Sequence, residues 1–147
     1  MNFIFISPNF PENYWNFCAA LKKNGVSVFG IGDAPYDNLD QRLKDSLTEY
    51  YRVNNMEDYD QMYRAVAHFA AKYGRIDWLE SNNEYWLIQD ARLRTDFNIT
   101  TGIKSDKIDS IKEKSEMKKY YAAGGIRTAR QVKANDSLDN ILKFAYE

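Results

Sequence analysis

The chain has 147 residues and carries 20 Lys and Arg against 21 Asp and Glu, a net charge of −1 that gives no basic excess for nucleic acid or an anionic membrane. A hydrophobic share of 44%, with 8 Phe, 11 Tyr and 3 Trp, supplies a real core and excludes global disorder. One cysteine, Cys18, and one histidine, His68, exclude an internal disulfide, a Cys-rich metal site and a two-histidine metal site.

Phe3-Ile4-Phe5-Ile6 is a short apolar run stopped by Pro8, and it reads as a buried strand. It has no basic stretch before it, so it is not a signal peptide, and no apolar run approaches the ~18 residues of a membrane span. A cytoplasmic location follows as the expectation, in a compartment that tolerates a lone thiol. Glu12 to Asn24 is helical, with Tyr14, Phe17, Cys18 and Leu21 on its apolar side and Asn24-Gly25 as its stop. Val26 to Ile31 is a second strand, so the first thirty residues have the length of a βαβ unit.

Asp37 to Leu47 repeats leucine every four residues and reads as a short helix. Tyr50 to Val53 is a third strand, closed by Asn54-Asn55. Glu57 to Tyr73 places Tyr59, Met62, Val66 and Phe69 on one helical face, and Gly74 ends it. Ile76 to Leu79 is a fourth strand, and Glu84 to Phe97 is again helical. Strand and helix alternate to about residue 98, which predicts an α/β fold with a Rossmann-like parallel sheet of about four strands flanked by helices. Charged residues then crowd from Lys104 to Lys119 and the alternation stops, so a domain boundary is expected near Ile99–Ile103. Asp109 to Ala123 reads as one charged helix, Thr128 to Val132 as a strand, and Ser137 to Tyr146 as a capped final helix.

In an open parallel sheet, ligands bind at the carboxyl ends of the strands, beside helix N-termini. Those ends are Ser7-Pro8-Asn9, Gly32-Asp33, Asn54-Asn55 and Ser81-Asn82-Asn83-Glu84. All are polar, and the same residue types also make turns and caps. Ser7-Pro8-Asn9-Phe10-Pro11 lacks the glycines that wrap a dinucleotide pyrophosphate, and no P-loop is present. His68 and Cys18 sit on helices away from the strand ends and read as structural. Two segments are more specific. One is the strand ending at Ser81-Asn82-Asn83-Glu84 and continuing through Arg92-Leu93-Arg94. The other is Lys114-Ser115-Glu116-Met117-Lys118, followed by Gly124-Gly125-Ile126.

In this order and spacing, Asn82-Asn83-Glu84, Arg92-Leu93-Arg94, Gly102, Glu113-Lys114, Met117-Lys118 and Gly125-Ile126 resemble the start of ATP-grasp ligases. The nearest likeness is to the carbamoyl-phosphate synthase large subunit and biotin carboxylase branch. The chain departs from that pattern in having Glu113 before the key lysine and Arg127-Thr128-Ala129 where prolines usually follow Gly-Ile. The resemblance implies a pre-ATP-grasp domain over residues 1–100, with strand order 3-2-1-4, and a linker and incomplete start of an ATP-grasp domain over 101–147. It implies an N-terminal piece of a longer ligase, whose partner is the remaining ATP-grasp domain and whose substrate is a small carboxylate. By the same resemblance Lys114 would reach the ATP phosphates. Ser7, Asn9, Glu12 and Glu84 would line the acceptor-substrate crevice, while Arg94 would hold an anionic substrate or pair with an acid. ATP and magnesium would serve the full-length enzyme. No metal ligand, catalytic residue or bound cofactor is expected in these 147 residues, which alone should be inactive. The competing reading is a self-contained flavodoxin-like or receiver-like α/β binding module. It is disfavoured because Ser7-Pro8-Asn9 and Asn54-Asn55 do not supply a receiver's acidic residues.

Overall fold

A computed structural model describes residues 1–146. The chain divides into two compact units, Met1–Ile108 and a second that begins at Asp109. The first unit holds β1 (Asn2–Ile6), α1 (Trp15–Lys23), β2 (Ser27–Gly32), α2 (Gln41–Ser46), β3 (Glu49–Arg52), α3 (Tyr59–Tyr73), β4 (Trp78–Glu80) and α4 (Leu87–Asp96). The four strands form one parallel sheet, as the alternation predicts, in the order β3-β2-β1-β4 that the resemblance implies.

Central strands of a parallel sheet are covered on both faces, so β1 and β2 carry no polar side chain after their first residues, Asn2 and Ser27, while their side chains still alternate. Ile4, Ile6, Phe29, Ile31 and Leu79 join one core, closed by Met62, Ala65, Val66 and Phe69 of α3 and Leu93 of α4. The Phe29 and Phe69 rings stack at 4.9 Å between centroids. Phe3, Phe5 and Val28 point to the other face, against Cys18 of α1 and Leu39, Leu43 and Leu47 around α2. Desolvation there pushes the Cys18 thiol up to about 12, so it is a small buried residue without reactivity.

Helix starts follow their caps. The Asp58 carboxylate accepts from the Asp60 and Gln61 N–H groups and opens α3, while Gly74 at φ +85° closes it. The helix expected over Asp37–Leu47 is instead a 3-10 turn, Tyr36–Asn38, followed by α2. Leu39 and Asp40 are extended, and the Asp40 side chain caps α2 by accepting from the Arg42 N–H. An Asp at that position favours the cap over the helix interior.

The second unit contains α5 (Asp109–Lys112), α6 (Lys114–Ala123) and α7 (Leu138–Tyr146). The single helix expected from Asp109 to Ala123 is broken at Glu113, whose backbone turns to φ −90°, ψ 111°. Its N–H still bonds to the Asp109 carbonyl at 3.0 Å, and its own carbonyl accepts from Met117 N–H at 2.9 Å, so it ends α5 and starts α6. The strand expected at Thr128–Val132 does not form. Residues 128–131 are exposed and irregular, and β-branched residues make a strand only beside a partner that completes the ladder. No described helix is long and apolar enough to cross a membrane.

Candidate functional site

The chain runs from β1 outward through β2 to β3, then returns to the far side of β1 as β4. The carboxyl ends of β1 and β4 therefore flank the point where strand order reverses, which is where open α/β sheets bind ligands. The register pairs Phe5 with Glu80, and Ser7 and Asn82 each follow two residues after that pair. Both turns use left-handed backbone, with Ser7 at φ +55° and Asn82 at φ +54°. Non-glycine residues hold this conformation only where surrounding bonds fix it. At Ser7 the N–H bonds to the Ile31 carbonyl at 2.8 Å, and at Asn82 the carbonyl accepts from the Tyr14 hydroxyl at 2.6 Å. That second bond ties the segment after β1 directly to the turn after β4.

Glu84 lies two residues beyond Asn82, exposed, at the start of a 3-10 turn (Glu84–Trp86) that leads into α4. The Asn83 side chain caps this turn by accepting from the Tyr85 N–H at 2.9 Å. Asn9 and Glu12 line a different hollow of about 340 Å³, shared with Ala34, Asn38 and Asp40 and lying toward the end of β2. The Asn9 Oδ1 is buried there with no hydrogen-bond donor. It also explains a glycine: a Cβ on Gly32 would come within 2.7 Å of both Asn9 Oδ1 and Tyr50 Oη. Asp40 at the wall of this hollow is tied to Arg42 through two bonds of 2.9 and 2.6 Å, and that pairing holds its carboxyl down at about 2. The sheet thus places the turns of Ser7 and Asn82 at the ends of neighbouring strands, with Glu84 two residues after Asn82, and gathers Asn9 with Glu12 in one recess.

Arg94 is only 2% exposed, and each guanidinium nitrogen has a partner in the protein. Nε donates to the Leu79 carbonyl at 2.9 Å, Nη1 to the Ile103 carbonyl at 3.0 Å, and Nη2 to Glu80 Oε2 at 2.7 Å. Of the two roles weighed for it, pairing with an acid is the one present. Gly102, at φ +80°, lets its backbone pass over this guanidinium, since a Cβ there would lie 2.9 Å from Nε.

Behind the turn after β4 lies a group that the sequence reading missed. Asp90 of α4 is fully buried, and its Oδ2 accepts from the Ser81 hydroxyl at 2.6 Å and the Ser81 N–H at 3.1 Å. Its Oδ1 is buried without a partner. Desolvation, with the Glu80 carboxylate nearby, pushes its pKa up to about 7, against the opposing pull of the Ser81 hydroxyl and Arg94. Glu80 Oε1 meanwhile lies 3.3 Å from the Ser81 N–H. Asp90 stands three residues before Leu93 and four before Arg94, which marks it as core-facing.

Lys114, in the second unit, is the first residue of α6 and is exposed. Its neighbours Lys118 and Lys119 are spent on the Ala129 carbonyl at 2.6 Å and on Glu116 at 2.7 Å.

No family profile and no curated protein sequence matches the chain. Solved structures do. Phosphoribosylglycinamide synthetase from Anaerococcus prevotii superposes with a TM-score of 0.66 at 16% identity, over 97% of this chain and 34% of that one. L-amino acid ligase from Bacillus licheniformis superposes with a TM-score of 0.64 at 11% identity, over 99% of this chain and 41% of that one. The chain thus spans between about a third and two-fifths of these structures. At such identities the likeness establishes the fold: a Rossmann-like α/β unit of four parallel strands, arranged as in parts of a synthetase and a ligase.

Proposed function

We propose that this chain is the acceptor-side, pre-ATP-grasp part of an ATP-dependent ligase. In such a reaction a carboxylate takes a phosphoryl group from ATP, and an amine or other nucleophile displaces phosphate from the resulting acyl phosphate. The observation that carries the reading is the structural likeness to a synthetase and a ligase, which extends over nearly the whole chain instead of stopping at the sheet. The sheet order and the ordered motifs from Asn82 to Ile126 support it.

In this reading Ser7, Asn9, Glu12 and Glu84 line the acceptor crevice. Tyr14 and Asp90 fix the turns that carry them, and Arg94 braces the floor through Glu80 and the Leu79 carbonyl. Lys114 is assigned to the ATP phosphates. An exposed lysine opening a ten-residue helix suits that role, as a mobile point charge aided by the helix's N-terminal dipole. Among the described residues no three His, Cys, Asp or Glu side chains gather; magnesium is assigned to the full-length enzyme, where one or two carboxylates together with the ATP phosphates would hold it. The carbamoyl-phosphate synthase and biotin carboxylase branch is the finer assignment. It rests on Glu113-Lys114, Met117-Lys118 and Gly125-Ile126.

The chain by itself is predicted not to ligate. Phosphoryl transfer needs several groups converging on the same phosphates. One exposed lysine contributes ~0.2–1 kcal/mol, against the ~8 kcal/mol of a micromolar site.

The test is ADP release by a polypeptide that joins these residues to whatever the gene encodes after residue 147. It should be assayed across carboxylates and amines. Turnover that requires both substrates, and that falls at least tenfold in Lys114→Ala but not in Lys112→Ala, is the expected result. Equal effects of the two variants would remove Lys114 from the site. No ADP release with any carboxylate would sink the ligase reading.

A further inference from the structure

We propose that the hollow between the starts of α3 and α4 binds an aromatic carboxylate, a site separate from the crevice and independent of the ligase reading. The hollow measures about 300 Å³, within the range of small-ligand pockets. Its walls are aromatic: Tyr59 from α3, and Tyr85 and Trp86 from the turn before α4, the last two meeting edge to face at 4.7 Å. Tyr85 is 63% exposed and the adjoining Ile88 is 52% exposed, unusual for large apolar side chains lying together.

Two donor-bearing residues of α4, three apart, line the hollow. The Gln89 Nε2 amide is buried and has no acceptor. A buried donor left unsatisfied costs about 1–3 kcal/mol, so an incoming acceptor has something to repay. The Arg92 guanidinium lies over the Tyr59 ring, its Cζ 3.5 Å from the centroid. Stacking of this kind leaves the N–H edge of a guanidinium available for in-plane acceptors. The Tyr59 hydroxyl is engaged with Asp96 at 2.6 Å, and the Tyr85 hydroxyl donates to Glu57, so neither competes for the ligand. The one carboxylate in the lining, Glu57, accepts that hydroxyl at Oε1.

A carboxylate offers two oxygens in one plane, one for each donor, and a ring attached to it lies against Tyr85 and Trp86. A neutral ring would leave the Gln89 amide and Arg92 unpaired, and a small aliphatic acid would leave the aromatic wall uncovered. An amine would meet the positive charge of Arg92 and find an acceptor only in the second oxygen of Glu57.

The test is a titration of the 15N-labelled chain with sodium benzoate, at fixed pH and ionic strength. Benzyl alcohol, acetate and benzylamine are the comparison ligands. Benzoate should shift the Gln89 side-chain amide, the Arg92 Nε–H and the Trp86 indole together, with a Kd of about 1–10 mM, ordinary for so small a ligand. Benzyl alcohol and acetate should each bind at least about tenfold more weakly. Arg92→Met and Gln89→Leu should each raise the benzoate Kd about tenfold, the scale of one charge-assisted hydrogen bond, while the backbone spectrum stays that of the folded chain. Glu57→Gln should leave the Kd the same or lower it. Benzyl alcohol binding as well as benzoate would reduce the site to a greasy hollow and overturn the proposal. Tighter binding of benzylamine would reverse the polarity assigned to Gln89. Shifts that survive Arg92→Met and Gln89→Leu unchanged would place the ligand elsewhere.

Discussion

Replacing Asp90 of α4 with asparagine isolates the one buried carboxyl among the described residues. In the folded chain Asp90 keeps its proton until about pH 7, whereas an unfolded aspartate releases it near the ordinary value of 3.8. The sign follows. Below pH 3.8 both states are protonated and the contribution of Asp90 is fully present. Between 3.8 and about 7 the unfolded state loses its proton first, so rising pH favours unfolding. The slope is ~1.4 kcal/mol per pH unit for one proton, and over this window of roughly three units the loss approaches about 4 kcal/mol. Asparagine preserves an acceptor for the Ser81 hydroxyl and does not titrate. Its amide replaces the unpartnered Oδ1 and costs about 1–3 kcal/mol at every pH. Urea unfolding of the two proteins, followed by tryptophan fluorescence at half-unit steps from pH 4.5 to 8, gives the stability difference as a function of pH. Other carboxyls titrate alike in both proteins and cancel. The wild type's advantage should shrink by more than one kcal/mol per pH unit between about pH 4.5 and 6.5 and level off above about 7.5. A difference that stays flat, or grows with pH, would show that Asp90 is ionised in the folded chain and refute the argument.

Glu49 works in the opposite direction. Burial raises its pKa, but bonds from Lys72, Tyr73 and His68 outweigh that and hold it near 2, so its stabilisation is present above the ordinary carboxyl range and is lost as pH falls from 4.5 toward 2. Glu49→Gln should therefore destabilise the chain at pH 7 and converge with the wild type in acid, read by thermal melts at both pH values. Phe69→Ala empties the space between Phe29 and Tyr51 in the main core and should cost about 3–5 kcal/mol in urea unfolding. Gly32→Ala should displace Asn9 and Tyr50, and a crystal structure of the variant with both side chains unmoved would contradict the close approach. Calorimetry of the 147-residue chain with Mg-ATP should detect no micromolar binding, and a micromolar Kd would overturn the assignment of this chain as one part of a larger site.

Much of the sheet is legible from the residues alone. Phe3–Ile6 and Val28–Ile31 are unbroken apolar runs because central parallel strands are covered on both faces, and the alternation of helix with strand leaves few other architectures. The Asp58 and Asn83 side chains open α3 and the turn before α4, where a short acceptor satisfies N–H groups that the helix cannot, although the sequence pattern begins those helices at Glu57 and Glu84. The polar strand ends are visible in the sequence, though the recess that gathers Asn9 with Glu12 is not. Periodicity cannot tell that Thr128–Val132 lacks a partner strand, or that Glu113 interrupts a charged helix. Both depend on what lies beside the segment in space. The same holds for the arginines of α4, which look alike in the sequence. Arg94 is drawn inside because Glu80, Leu79 and Ile103 converge on it from separate parts of the first unit, while Arg92, two residues away, turns outward over Tyr59. Asp90 sits in plain view in the sequence. Its burial against Ser81 arises only when β4 packs beside α4, and desolvation by that packing turns an ordinary carboxylate into a group that titrates near neutrality.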